Sequence, residues 1–331
     1  MIIFVTGQYA GAQYIYPLIK KWQGKDENHP EFKIVATGAS VSFWQQCHVD
    51  YVKIEDENSD SVERYMDVVK PRLIVLSASG SEELEHLFIL GAKIKAVKAV
   101  SFIDTWTNYK SRFIYKNKDL YPDVIFSIDD KCTEEMIEDG IPAELIQEIG
   151  QPYLEGICQN IPPLGNRILF PMQPIKKTRN NSLGYDESDF LQLSLEAVNA
   201  SGKSEQTHIT THPDDILNIP NQKSIEISAG KGIKDVRNAH TVIGMFSMQM
   251  IIGYLWNRKV ASVQPNLKGK DPSPLSRWKL VPRIEDKKGL IKFMNSAADS
   301  NSTNQKAVLL QQIHGSLERF ENCCKQELLV K

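Results

Sequence analysis

Short apolar runs alternating with stretches of helical spacing constrain the fold of this chain more than any other feature. In the first half, Ile2 to Thr6, Lys33 to Thr37, Arg72 to Ser77, Ala96 to Ile103 and Val124 to Ile128 read as buried strands of four to eight residues. Between them Ala12 to Trp22, Ser42 to Cys47, Ser61 to Val69, Ser81 to Leu90 and Thr133 to Asp139 carry helical spacing. Strands that are apolar on both faces and alternate with helices imply a parallel sheet covered on both sides. The expectation is an α/β Rossmann-like domain ending near Gly150.

The alternation then restarts. Arg167 to Met172, His208 to Thr211, Ser224 to Ile227, Val242 to Met245 and Val260 to Val263 read as strands, with helices from Asp186 to Asn199 and Met248 to Trp256. Between the halves, Pro152, Pro162, Pro163, Gly156 and Gly165 punctuate rather than pack. The sequence therefore predicts a domain at 1–152, a linker at 153–166 and a second Rossmann-like domain at 167–331, consistent with roughly 150 residues per domain. A last helix from Asn304 to Leu329 could pack on the second domain or cross back to the first. No internal repeat or low-complexity tract is visible.

Composition removes several function classes. Apolar residues at 41% and charged residues at 24% exclude wholesale disorder. Thirty-nine basic against forty-one acidic side chains, with no basic block, leave nucleic acid without an electrostatic footprint. Five scattered cysteines are no disulfide framework, and no paired CxxC supports a zinc site. No segment approaches the ~20 apolar residues that span a bilayer, and the opening residues lack the basic flank of a signal peptide. A reduced, cytoplasmic chain is expected, with its oligomeric state left open.

In open parallel sheets ligands bind beyond the carboxyl ends of the strands, so the loops there are the candidate sites. After the first strand, Gly7, Gln8, Tyr9 and Gly11 open a helix whose start favours an anion or a sugar hydroxyl. The spacing is neither a dinucleotide fingerprint nor a phosphate loop, and a tight turn is the competing reading. After the fifth run, Asp104 begins a polar, aromatic loop with Trp106, Asn108 and Arg112, the composition of a site that holds a sugar and deprotonates a hydroxyl. A helix cap would also explain Asp104, and Asp129 or Asp130 is expected to cap the helix after the next strand.

In the second half, Pro213 fixes the backbone after His212, aiming an imidazole where it could donate to a phosphate or lie near a leaving group. Gly244, Met245, Phe246 and Ser247 run from a strand through a turn into a helix, an anion site suited to a nucleotide phosphate or an ordinary Ser cap. Gln264, after the next strand, could touch a donor sugar or belong to a polar loop.

These residues together resemble the GT-B superfamily of nucleotide-sugar glycosyltransferases and its relatives, the UDP-N-acetylglucosamine 2-epimerases. The stretches that carry the resemblance are 104–113, 122–153 with Gly150-Gln151-Pro152, and 235–265. His212-Pro213 and Ser247 also look like the motifs of GT-B enzymes that use CMP-activated acidic sugars. The resemblance implies two Rossmann-like domains whose parallel sheets face a cleft. It implies a UDP- or CMP-linked sugar donor as substrate, a saccharide acceptor as partner, no resident cofactor and no metal. One departure stands out: many GT-B donor sites carry a ribose-gripping Glu about five residues after the Ser, where this chain has Ile252 and Gly253.

The expected activity is metal-independent glycosyl transfer in surface or extracellular polysaccharide synthesis, with Asp104 as base and His212, Gly244 and Ser247 on the nucleotide. Two alternatives are a UDP-sugar 2-epimerase or hydrolase, although that family's acidic and histidine set is not recoverable in this chain, and a non-catalytic GT-B relative acting as a partner protein.

Overall fold

The structure is a computed structural model that describes residues 1–24, 29–80, 82–176, 182–211, 224–297 and 303–328. The chain forms two compact units, Met1–Gln159 with Leu309–Lys331, and Asn160–Val308.

The first unit is built on β1 (Ile2–Thr6), β2 (Phe32–Ala36), β3 (Leu73–Leu76), β4 (Lys98–Phe102), a small hairpin of β5 (Ile114–Tyr115) and β6 (Lys118–Asp119), then β7 (Val124–Ser127) and β8 (Ile146–Glu148). The main sheet has the order β2-β1-β3-β4-β7-β8 with every pair parallel. Its helices are α1 (Tyr9–Trp22), α2 (Ser40–Gln46), α3 (Ser59–Val69), α4 (Glu83–Lys95), α5 (Asp130–Glu138) and α6 (Pro152–Cys158). Alternate side chains of β1 serve opposite faces, as a period of two requires. Ile2 and Phe4 join Ile15, Leu18 and Trp22 of α1, whereas Ile3 and Val5 join Met66 of α3 and Phe88 of α4. Helices on both faces explain why these strands are apolar throughout.

Two pieces of this unit carry no apolar run and were not expected from the sequence. The hairpin turns on Lys116 and Asn117, both at positive φ (48° and 61°), as a two-residue hairpin turn demands. β8 is an edge strand whose Gln147 and Glu148 face outward, so it lacks the pattern of a buried strand.

The second unit contains β9 (Arg167–Pro171), α7 (Glu187–Ser201), β10 (Thr207–Thr211), β11 (Glu226–Ala229), α8 (Ile233–Arg237), β12 (Ala239–Gly244), α9 (Met248–Leu255), β13 (Lys259–Val263), α10 (Pro274–Arg277), β14 (Arg283–Ile284) and α11 (Lys287–Asn295). Its sheet runs β11-β10-β9-β12-β13-β14, again all parallel. That is the doubly wound order in which the first strand lies inside and the chain reverses between the first and fourth strands. α7 starts on a capping box between Asp186 and Asp189, which satisfies helix-start amides that would otherwise lack partners.

The expected linker at 153–166 and second domain at 167–331 both need correction. The linker begins inside α6, because proline at the first helical position sacrifices only an amide without an intrahelical partner. The Gln151 side chain then accepts from Tyr153 and Leu154 amides at 2.9 and 3.2 Å. Later, Arg258 donates to the carbonyls of Pro162 and Pro163, at 3.2 and 2.7 Å, tying that segment to the second unit.

The single terminal helix expected at 304–329 is two helices, α12 (Thr303–Ile313) and α13 (Ser316–Glu327), broken at Gly315 with φ 77°. α13 belongs to the first unit, not the second. Phe320 meets Tyr14 edge-on at 5.4 Å, Arg319 Nε donates to the Ile149 carbonyl at 2.8 Å, and Glu155 accepts from the Gly315 and Leu317 amides. Among the described residues no helix is long and apolar enough to cross a membrane.

Candidate functional site

Each sheet has one place where adjacent strands send their connections to opposite faces, and crevices there receive ligands in open α/β folds. In the first unit this is the exit between β1 and β3; in the second it is the exit between β9 and β12.

The first exit is filled by the chain's own carboxylates. Gly7 N donates to Glu85 Oε1 at 3.1 Å and to Ser77 Oγ at 3.3 Å, and Ser77 Oγ donates to the same Glu85 oxygen. Glu85 Oε2 accepts from both the amide and the hydroxyl of Ser79, each at 2.6 Å. Burial pushes the Glu85 carboxyl up, against the pull of these donors. Nearer the surface, Gln8 Nε2 donates to Glu82 Oε1 at 2.6 Å.

The glycines here were expected to let backbone approach a ligand. They instead accommodate the neighbouring strand exit: a Cβ on Gly7 would lie 2.3 Å from Glu82 Cγ, and one on Gly11 would lie 2.3 Å from Ser77 Cβ. Tyr9 is the exposed member of this group, at 40%, its ring edge-on to Phe43 at 4.9 Å.

The loop after β4 is held from inside by Arg112, which is 6% exposed. Its Nη1 donates to Asp104 Oδ1 at 2.7 Å and to the Ala78 carbonyl at 3.2 Å. Nε and Nη2 bind the Asn108 and Thr107 carbonyls at 2.9 and 3.2 Å. Asp104 is therefore a buried ion-pair partner rather than a helix cap, and Gln151 Nε2 binds its carbonyl at 3.2 Å.

Trp106, expected on a sugar, is 1% exposed and donates through Nε1 to Asp129 Oδ2 at 2.7 Å. Asp129 caps α5 by accepting from the Cys132 amide, as one of the two expected caps. Burial pushes its carboxyl up to about 7, outweighing the hydrogen bonds that favour the ionised form. Asn108 stays exposed at positive φ (56°), whereas Trp106 and Arg112 are buried and build the loop.

The second exit has a different chemistry. Phe246 N donates to Gln173 Oε1 at 3.0 Å, joining the exits of β12 and β9 through a neutral amide. Ser247 opens α9 and accepts from the Gln249 amide at 3.2 Å. Phe246 and Ser247 are half-buried, whereas Met245 is core at 0% exposure. Gly244 is a packing glycine, since a Cβ there would lie 2.8 Å from Met250 Sδ. Met245 and Gly244 thus position the turn, and Phe246 and Ser247 form its accessible surface.

Gln264, expected beside a donor sugar, is buried. It is 0% exposed and donates to Ser262 Oγ at 2.7 Å and Asp271 Oδ1 at 2.6 Å. His212 and Pro213 lie outside the described residues. Ile252 is 3% exposed within α9, so the position after the serine offers a buried methyl surface and no acceptor.

Sequence reasoning passed over Glu85, Gln173 and Gln249, and gave Gln151 no role beyond its Gly150-Gln151-Pro152 motif. Gln249 Oε1 is buried with no hydrogen-bond partner among the described residues, one step inside α9. A glutamine following the cap serine was a visible signal. The pairing of Gln173 with Phe246 was not, because 73 residues separate them.

No protein-family model matches the sequence, and no curated protein sequence does. Solved structures do match. The S. aureus MnaA–UDP structure aligns with a TM-score of 0.67 and 12% identity over 100% of this chain and 97% of that one. UDP-GlcNAc 2-epimerase from Neisseria meningitidis bound to UDP-GlcNAc aligns at 0.66 and 9% identity over 98% and 99%. The Methanocaldococcus jannaschii UDP-GlcNAc 2-epimerase in complex with UDP-GlcNAc and UDP aligns at 0.64 and 11% identity over 93% and 98%. At such identities the likeness establishes architecture: this chain has the α/β fold of two Rossmann-like units, of the GT-B class, that these solved structures share.

Proposed function

We propose that this chain is an enzyme that binds a UDP-linked sugar on its second unit and acts on the bound sugar itself, as a 2-epimerase or hydrolase does. The observation that carries the reading is the start of α9, where the Phe246 amide meets a neutral glutamine and a half-buried serine opens the helix. A helix start whose turn amide meets a neutral group attracts a phosphate. The whole-length likeness to structures solved with UDP and UDP-GlcNAc supports the same choice of ligand. Gln249, whose Oε1 is buried and has no partner among the described residues, supplies on α9 the acceptor that Ile252 cannot. The nucleotide sugar is the substrate, and the reading needs no resident cofactor.

Glycosyl transfer is the second reading, with a base other than Asp104, which its ion pair with Arg112 holds inside the loop. It is favoured by the exposed Tyr9 ring and half-buried Gln8 at the first exit, since an aromatic face beside an amide suits a saccharide. Incubation with UDP-GlcNAc, followed by proton NMR at the sugar C2 and by UDP release, separates the readings. An epimer or free UDP without acceptor supports the first. Consumption only when a saccharide is added supports the second. Absence of UDP binding overturns the first reading, and tight UDP binding without turnover, or no nucleotide binding at all, points to a non-catalytic partner protein.

A further inference from the structure

We infer that Glu85 is a built-in occupant of an anion cradle, and that it makes the first unit select uncharged or cationic sugars over anionic ones. The inference rests on the second reading above only in placing a saccharide at this unit.

A turn from a parallel strand into a helix, at the point where connections diverge, is the place where open α/β proteins hold phosphates and carboxylates. The first unit has all the parts. β1 leads through Gly7 into the fourteen-residue helix α1, and four donors converge there: the Gly7 amide, the Ser77 hydroxyl, and the amide and hydroxyl of Ser79. The ligand they hold comes from the chain itself. Both Glu85 oxygens are engaged, the residue is 2% exposed, and it sits in the first turn of α4, where a negative charge is also favoured.

Four donors around one side-chain carboxylate is the coordination of a bound anion, supplied internally. Glu82 adds a second carboxylate on the outer side, with Gln8 donating to it. Glu57 lies close enough to raise the Glu82 carboxyl further, after burial has done most of that. An incoming phosphate, sulfate or uronate would find its donors taken and carboxylates beside it. A hydroxyl or an ammonium group can donate to Glu82, so uncharged and amino sugars are accepted where acidic ones are repelled.

The contrast with the second unit sharpens the inference. There the amide after β12 meets Gln173 after β9, a neutral group that a phosphate can displace without leaving a buried charge behind.

Removing the occupant tests the claim directly on the full chain, with no nucleotide sugar present. In Glu85→Ala, 50 mM formate should raise the thermal midpoint by several degrees over an equal concentration of chloride, while the wild-type midpoint does not move. In 15N-labelled protein, the Gly7 and Ser79 amides of the variant should shift saturably with formate or inorganic phosphate, and those of the wild type should stay fixed.

If Glu85→Ala does not fold unaided, refolding from denaturant in formate recovers it if the cradle is real, and failure of that rescue overturns the inference. A folded variant whose Gly7 amide ignores both anions, or a wild type whose Gly7 amide responds to phosphate, also overturns it. The selectivity arm uses wild type with N-acetylglucosamine and glucuronate. Shifts of the Gln8 and Tyr9 amides with the first alone support it, and equal response or none to the two sugars overturns it. Because UDP turnover enters no arm, failure here leaves the proposed activity standing, and failure of that activity leaves the formate result intact.

Discussion

The two sheets have six parallel strands each and similar exits, yet the exits carry opposite chemistry. At the first, donors close on Glu85 with Glu82 outside it; at the second, one amide closes on Gln173 beside a helix-capping serine. The architecture only guarantees that amides converge at such a point. Whether they are available is decided by one or two side chains arriving from a neighbouring strand or helix. A shared fold therefore locates two crevices without saying what either holds, and a nucleotide at the second belongs to the proposed function.

The loop clamp of the first unit offers the largest test of this contrast. Arg112→Met removes the partner of buried Asp104 and four hydrogen bonds to the loop and to Ala78. Urea unfolding should show a loss on the order of 3–5 kcal/mol, the range for breaking a buried ion pair. A loss below about 1 kcal/mol, as for an exposed pair, would mean that the loop is not built on that side chain.

The pH dependence comes next. The folded Asp129 carboxyl titrates at about 7, above the ~3.9 of an unfolded aspartate. Between those values the folded state keeps a proton that the unfolded state has lost, so stability is full below pH 4 and falls as pH rises towards 7. The fall is on the order of 4 kcal/mol for about three units. Glu82, Glu85 and Glu148 are raised as well and add slope of the same sign. Asp129→Asn should flatten the dependence without abolishing it, and an unchanged slope from pH 4 to 7 would exclude Asp129 as its source.

A matched pair of glycines gives a smaller and more direct comparison. Gly11→Ala forces a methyl against Ser77 near its backbone, whereas Gly244→Ala presses on the thioether of Met250. Overpacking against a rigid neighbour should cost about 3 kcal/mol and against a flexible one about 1 kcal/mol, read from urea midpoints. Equal costs would erase the distinction between a tightly closed first exit and a more adaptable second one.

The smallest effect on stability belongs to Ser247→Ala, about 1 kcal/mol for a lost helix cap. Under the proposed function the same change weakens UDP binding at least tenfold, measured by calorimetry. A stability loss with unchanged UDP affinity would leave Ser247 as a cap alone.

Much of the fold was legible because buried parallel strands must be apolar on both faces, and that pattern survives in any one chain. Ile2–Thr6 appears with its bounds unchanged, and the core strands of the second sheet differ from expectation by one to three residues at their ends. Elements without a buried face escaped: the Lys116-Asn117 hairpin and the edge strand at Ile146–Glu148. The candidate sites were legible as loops but not as chemistry. Asp104, Trp106, Arg112 and Gln264 are polar or aromatic residues at strand exits, the composition of a ligand site, yet each is turned inward by a partner at a distance in sequence or by a hydrogen bond within its own loop. Composition records that polar groups are present. It does not record whether they satisfy one another.

What the sequence alone determined is the class of fold, because periodicity and the lengths of apolar runs are local and additive along the chain. What only the tertiary structure decided is which donors at the strand exits are already occupied. Glu85 meets Gly7 across 78 residues, Gln173 meets Phe246 across 73, and Phe320 returns from the far end of the chain to the first core. Hydrogen-bond satisfaction depends on distance in space, so it is set only when each sheet has formed and its own strand ends lie side by side.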